Sequence, residues 1–336
     1  MDEKRMKEDG RTDLASYMQS VIGQLEKDKK RPAVHTYKYA LKSFTEFYGG
    51  TGKPMPVGEV FTPGRLKEYE EWMKQEGVKK QGTEPKGMSL NTVSTYMRNL
   101  KAVYNRLVAM NALPYNAGLF DGVYTKVEPQ TKRALTGKQM TALVHAAPEK
   151  LPQGVGCALA YFLLTFMFRG MPFIDLAHLR KQDVRGNCIV YSRHKTGRQM
   201  TVRIPKEAAG LLEAFRNKNA GSIYLFPILD EPEKKKDKEL YLNYLRALRN
   251  FNKQLEKMAA VLLPGVKVSS YTARHTWATL AFYAGVNIGI ISKALGHSSI
   301  KVTETYLKPF ENEKVDAAND KLILSITEGG EGRNVA

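Results

Sequence analysis

The sequence predicts a mainly α protein with a small β-hairpin or sheet, divided into an N-terminal four-helix domain and a mixed, mostly helical second domain. Three observations predict it. Apolar residues recur every three or four positions through much of the chain, the period of a helix with one buried face. Two runs look like strands, "CIVYSR" at 188–193 and "QMTVRIP" at 199–205, and the polar "HKTG" between them reads as a hairpin turn. The helical period is lost at 123–135, "VYTKVEPQTKRAL", where a Pro and several polar residues separate the two parts. The expected divisions are a domain at 1–125, a linker at 126–135, a second domain at 136–315 and a tail at 316–336. A chain of 336 residues is long enough for two ordinary domains.

The elements follow in order. "DLASYMQSVIGQLEKDKK" places Leu14, Tyr17, Met18, Val21, Ile22 and Leu25 on one helical stripe, with Asp13 as N-cap. "AVHTYKYALKSFTEFY" repeats the stripe with Tyr37, Leu41, Phe44 and Phe47, and Gly49-Gly50 end it. In "FTPGRLKEYEEWMKQEG", Thr62 caps, Pro63 takes the first helical position and Gly77 follows the end. The fourth helix, "SLNTVSTYMRNLKAVYNRLVAM", has Ser89 as N-cap and Val93, Met97, Leu100, Tyr104 and Leu107 as its apolar face. Its opposite face carries Thr95, Arg98, Lys101 and Asn105 or Arg106, a polar and basic stripe suited to lying along a nucleic-acid backbone. After the linker, Thr136 caps a helix at 137–147, and a buried helix spans 153–168. Beyond the hairpin, helices are expected at about 206–217, 238–260, 271–284 and 288–294. In the third of these, Trp277, Leu280 and Ala281 are expected to supply the buried face.

Composition narrows the function. The chain is 43% hydrophobic and 26% charged, as a folded soluble protein is. The longest apolar run, residues 154–168, is shorter than the roughly 20 residues needed to span a bilayer. No secretory signal is seen, and Cys157 and Cys188 lack metal-ligand spacing, so both are expected to be reduced core residues of a cytoplasmic protein. The net charge is +18, from 52 basic and 34 acidic residues. Residues 1–130 carry 21 basic and 16 acidic residues, and the remainder carry 31 and 18. An excess of this size in both parts points to a polyanionic partner.

The residues able to do chemistry are cationic, His and Tyr. No Gly-rich phosphate loop and no carboxylate cluster for a metal is present. Arg274 stands near the start of an amphipathic helix in "VSSYTARHTWATLAFYAG". "GHSSIKVTETYLK", 296–308, sets His297 nine residues before Tyr306. Alone, Tyr306 is one of 17 tyrosines.

In this order and spacing the residues resemble the catalytic domain of the tyrosine recombinase (phage integrase) family. The family pattern is H-x-x-R-H-T-x-A-T, then L-G-H, then Tyr nine residues beyond that His; here it reads "YTARHTWAT", "LGH" and Tyr306. A hairpin Lys of the family is matched by Lys195 in "RHKTGR", and the first arginine, loosely, by "FRGMPFIDLAHL". The N-terminal helices resemble the family's core-binding, SAM-like domain, so the likeness covers residues 12–315.

The resemblance implies a site-specific DNA recombinase of the integrase or invertase type, as carried by mobile elements. Tyr306 would attack the scissile phosphate to give a 3′-phosphotyrosyl link and a free 5′-hydroxyl. A phenol with an ordinary pKa of about 10 needs cationic neighbours to do so. Arg274 would bind the non-bridging oxygens and Lys195 would protonate the leaving oxygen. His297 would bond the phosphate or help move the Tyr proton. The bond energy is kept in the phosphotyrosine, so neither ATP, a metal nor another cofactor is implied. The implied partners are double-stranded DNA with specific recombination sites and three further copies in a tetramer, with no membrane. An apolar tail around "DKLILSIT" (320–327) would dock on a neighbouring subunit.

Two departures from the family stand out. Tyr271 replaces the His of H-x-x-R; it can donate and accept a hydrogen bond but is a weaker base. Pro172 occupies the usual place of the first arginine, three residues before Asp175. Arg169, one helical turn earlier, is the expected substitute, with Arg198 and Arg203 as fallbacks, although Gly170 and Pro172 interrupt a helix there. The same chemistry would also serve a type IB topoisomerase-like enzyme, and the departures would suit a DNA-binding relative without catalysis.

Overall fold

The computed structural model describes residues 12–77, 86–126, 134–229, 237–305, 307 and 312–327. It divides into two compact units, Met1–Gln130 and Thr131–Ala336.

In the first unit the four expected helices are α1 (Leu14–Lys27), α2 (Arg31–Phe47), α4 (Pro63–Gln75) and α5 (Leu90–Ala109). A one-turn helix, α3 (Val57–Val60), was not expected. It is anchored from a distance. Val57 N donates to Thr12 O at 3.0 Å and Leu14 N to Met55 O at 2.8 Å. The Asp13 carboxylate caps α1 through Ser16 N (2.9 Å) and also holds Met55 N (2.8 Å). Thr62 and Ser89 cap α4 and α5 through their side chains, as their sequence positions indicate. Phe44, Tyr69 and Met73 are fully enclosed, and the Tyr69 hydroxyl donates to Ser43 at 2.8 Å, which satisfies both buried groups. The buried Glu70 carboxylate accepts from Lys67, Lys74 and Tyr124 N, tying the end of the described segment to α4. On α5 the predicted apolar face is buried and Arg98, Lys101, Asn105 and Arg106 are exposed.

The second unit holds α6 (Gly137–His145), α7 (Gln153–Met167), α8 (Phe173–His178), a small sheet, and then α9 (Lys206–Phe215), α10 (Asp237–Leu262), α11 (Thr272–Tyr283), α12 (Ile288–Leu295), α13 (Ile300–Glu304) and α14 (Asn312–Thr327). Thr136 and Gln139 form a full capping box at α6. The long apolar run is α7, buried on almost every side, with α9, α10 and α11 packed around it. No described helix is long and apolar enough to cross a membrane. The sheet comprises β1 (Val184–Arg185), β2 (Cys188–Ser192) and β3 (Gln199–Arg203), antiparallel in the order 1-2-3. Ile189 pairs with Val202 and Tyr191 with Met200, so these four side chains alternate inward.

The hairpin lies within a three-stranded sheet, in which the short β1 pairs with β2 across Gly186, at φ +57°. Two expectations need correction. The buried face of α11 is Ala273, Arg274, Thr276, Ala278 and Thr279; Trp277, Leu280 and Ala281 are half-buried. Small side chains let α11 lie close to α7, and the larger ones fall at the margin. Cys157 and Cys188 are free thiols, half-buried rather than in the core. Leu135, placed in the linker from sequence, is packed in the second core, and its N–H donates to Thr276 Oγ1 at 2.9 Å.

Candidate active site

Arg274 stands in the first turn of α11 and is only 3% exposed. A buried guanidinium needs acceptors, and the chain supplies them from two distant turns. Nη1 donates to Gly170 O at 2.7 Å, and Nη2 donates to Leu295 O at 2.6 Å and to His297 Nε2 at 3.0 Å. Gly170 must be glycine. Its φ is +66°, and an added Cβ would lie 3.1 Å from Arg274 Cα and 3.2 Å from Arg274 Cγ.

The His297 tautomer follows from chemistry. A guanidinium only donates, so Nε2 facing it carries no proton. Nδ1, 2.9 Å from Thr303 Oγ1, then carries the hydrogen and donates it to that hydroxyl. Burial first, and then the charges of Arg274, Arg193 and Lys195, hold His297 down to about 4, so the ring is neutral near pH 7. His297 follows Gly296, the left-handed C-cap of α12 at φ +66°. A Cβ at Gly296 would meet Arg193 Cδ at 2.9 Å and Met200 Sδ at 3.0 Å, so the "LGH" glycine both turns the chain and makes room for an arginine.

Arg193 was not foreseen. It lies at the end of β2, buried, and its Nη1 donates to Leu295 O (2.8 Å) and Gly296 O (3.1 Å). Its Nε faces the buried Asp175 carboxylate at 3.4 Å, and Asp175 also accepts from His194 N at 2.8 Å. Asp175 of α8 thereby anchors the root of the hairpin. Arg198 closes the other side, donating to His297 O at 3.1 Å. Three arginines thus converge on the carbonyls of residues 295–297, the negative end of α12. The signal in the sequence was the R-x-K spacing before Lys195, but only the fold shows that Arg193 points inward.

Lys195 is exposed in the turn of this hairpin, within electrostatic range of His297. Arg169 is half-buried at the C-terminal end of α7, with φ +59°. The left-handed region costs a non-glycine residue about 1–2 kcal/mol. Its carbonyl neighbour Gly170 carries the bond to Arg274, so the two arginines meet through one backbone turn. Pro172 begins α8, and the helix is interrupted between residues 167 and 173. Arg203, the other fallback, is exposed on β3. Tyr271 is the N-cap residue of α11, 44% exposed, with its ring 5.9 Å from that of His275. Tyr306 lies outside the described residues. On either side of it, Thr305 Oγ1 donates to Val302 O at 2.7 Å and Leu307 N to Glu304 O at 3.2 Å. Among the described residues no group of three or more His, Cys, Asp or Glu could hold a metal ion.

The four residues singled out on α5 share one side of the helix. Thr95 is half-buried and donates to Asn91 O at 2.8 Å; Arg98 bonds Ser94 O and Thr95 Oγ1 locally. Lys101 sits 5.5 Å from the Phe120 ring, and Arg106 is exposed. A second basic row was missed. Arg246, Arg249, Lys253 and Lys257 recur at helical spacing on the exposed side of α10.

Comparison with known proteins places the family and the fold. The pattern of the Phage integrase family matches residues 133–313, and that of the Phage integrase SAM-like domain matches residues 13–118. The tyrosine recombinase XerA of Pyrococcus furiosus is 23% identical over 258 residues, 73% of this chain and 79% of that protein. A crystal structure of a lambda integrase dimer bound to a COC' core site superposes with a TM-score of 0.61 at 15% identity, covering 90% of this chain and 79% of that one. A lambda integrase tetramer bound to a Holliday junction gives 0.58 at 14% identity, covering 91% and 80%. These matches do not favour a topoisomerase-like enzyme or a relative without catalysis. The chain belongs to the phage integrase family and is a site-specific tyrosine recombinase.

Proposed function

We propose that this recombinase cleaves and rejoins double-stranded DNA through a 3′-phosphotyrosyl link at Tyr306. The convergence of Arg274, Arg193 and Arg198 around the neutral His297 carries this reading, because it concentrates fixed positive charge where a phosphorane would develop. Tyr306 Oη attacks phosphorus, the P–O5′ bond breaks, and Lys195 supplies the proton to O5′. Arg274 bonds the non-bridging oxygens, and the unprotonated Nε2 of His297 takes the proton that leaves the Tyr306 hydroxyl. A phosphate oxygen carries charge and replaces a neutral ring nitrogen as the better partner of Nη2. Arg169 acts as the first arginine. Its left-handed backbone supports this, because a strained cationic residue in place of glycine is retained where the side chain is needed. Arg193 holds the scaffold, and Tyr271 faces solvent at the rim of the site. No cofactor enters this scheme.

DNA is the partner, and the enzyme works as a multimer. The finer reading is a tetramer on two specific sites, as the lambda integrase tetramer sits on a Holliday junction. Residues 1–125 form the core-binding domain, with Thr95, Arg98, Lys101 and Arg106 of α5 along the phosphates, and residues 136–315 form the catalytic domain. The α10 row adds phosphate contacts. In the tail, 316–336, α14 leaves Leu322, Ile323, Leu324 and Ile326 exposed, and this helix docks on a neighbouring subunit. The test is covalent trapping on a nicked duplex that lets the cleaved end diffuse away. The unmutated chain should form a protein–DNA adduct and Tyr306→Phe none. No adduct from the unmutated chain on its own site overturns the proposal.

A further inference from the structure

The root of the catalytic hairpin is fixed by Arg193, Arg198 and Asp175, but its tip is not covered by those bonds. Residues 194–199 are all exposed. From this tip one ring reaches back to the body of the unit. His194 lies against His178 of α8, with centroids 4.7 Å apart and planes at 43°. His178 is half-buried and in turn lies 5.7 Å from the Tyr244 ring of α10. Its orientation is set by Nδ1, 2.7 Å from Ile174 O; a carbonyl only accepts, so Nδ1 carries the proton. His194 is therefore held twice, by its backbone N–H on Asp175 and by its ring on His178, and the next residue is Lys195.

We infer that the stack of His194 on His178 docks the hairpin tip and so positions Lys195 to protonate the leaving oxygen. The inference rests on the reading of Lys195 as the general acid. His194 is then a positioning residue that acts through Lys195.

The groups around the pair make the docking dependent on pH. His178 faces His194 from the hairpin, Asp175 and Arg180 from its own segment, and Tyr244 from α10. Burial first pushes His178 below its ordinary value, and His194 and Arg180 add to this, against the Ile174 bond and Asp175. Burial pushes the Tyr244 hydroxyl up to about 12, so it stays neutral. His194 has Arg193 and Lys195 as chain neighbours, and both are cations. The docked state thus prefers neutral His178. Docking is favoured while His178 is neutral and weakens as the pH falls below its ordinary value of about 6.5, because a charge on that half-buried ring loses solvation and meets Arg180.

A DNA substrate with a bridging 5′-sulfur at the scissile phosphate tests this, because a thiolate departs without a proton. The full chain is used on its own nicked recombination site. Lys195→Ala should slow cleavage of the oxygen substrate by about 10²-fold or more and be restored with sulfur. His194→Ala should slow the oxygen substrate about two- to tenfold, the worth of one stacked aromatic pair, and also be restored with sulfur. His194→Phe keeps a ring against His178 and should retain the rate on the oxygen substrate. If sulfur does not restore Lys195→Ala, the general-acid reading falls and this inference with it. If sulfur restores Lys195→Ala but His194→Ala is unaffected on oxygen, or equally slow on both substrates, the positioning role alone is overturned.

Discussion

Helices α5 and α11 carry arginines by the same helical rule and use them in opposite ways. On α5, Arg98 is exposed and its hydrogen bonds are local, to Ser94 and Thr95 one turn back. On α11, Arg274 is buried and bonds residues 104, 21 and 23 positions away in the chain. An exposed arginine meets DNA as one of several interchangeable charges, screened by salt. A buried one is oriented by its acceptors before substrate arrives, which is what transition-state stabilisation requires. The difference should appear as affinity for the first helix and as rate for the second.

The largest effect is expected at the buried arginine. Arg274→Ala should lower the cleavage rate at saturating DNA by about 10³-fold with little change in binding, as measured by single-turnover adduct formation. If the loss appears only in affinity, the contrast with α5 collapses. Arg169→Gly comes next and separates strain from function. Glycine accepts φ +59° freely, so the variant should be about 1 kcal/mol more stable in urea unfolding yet slower in cleavage by about tenfold or more. A stabilised variant with unchanged cleavage would remove Arg169 from the site.

A smaller change is expected on α5. Replacing Arg98 and Lys101 together by Ala should weaken binding and reduce the slope of log affinity against log salt by about 2, leaving the saturated rate unaltered. The smallest concerns pH. His297 takes its proton at about 4 in the folded chain and at about 6.5 when unfolded. The unfolded state thus binds more protons between these values. The stabilisation is complete above about pH 6.5 and is lost as the pH falls toward 4. His297→Asn should flatten that part of the urea-midpoint profile.

Local features were legible in the sequence because their causes are local. Asp13, Thr62, Ser89 and Thr136 cap the helices they precede, since each reaches a backbone N–H only three residues away. The apolar face of α5 and the pairing of 188–192 with 199–203 follow from periods of 3.6 and 2. The spacing of Arg274, His297 and Tyr306 carried the resemblance to the family because motif spacing is read along the chain without tertiary contacts. The features not legible were those fixed by distant partners. The one-turn α3 depends on residue 12, and β1 needs β2 to pair with. The inward face of α11 was misjudged because close packing on α7 selects small residues over the large ones that hydrophobicity favours.

The two-part helical fold, the basic character of both parts and the candidate reactive residues were readable along the chain, because periodicity, charge and motif spacing need no knowledge of tertiary contacts. Which arginines face inward depends on packing between distant segments. Arg193 and Arg198 belong to one hairpin and look alike in sequence, yet one is sealed against Asp175 and the carbonyls of α12 while the other braces His297 from the edge. A buried charge persists only where the fold brings acceptors to it, and those acceptors come from turns about a hundred residues away.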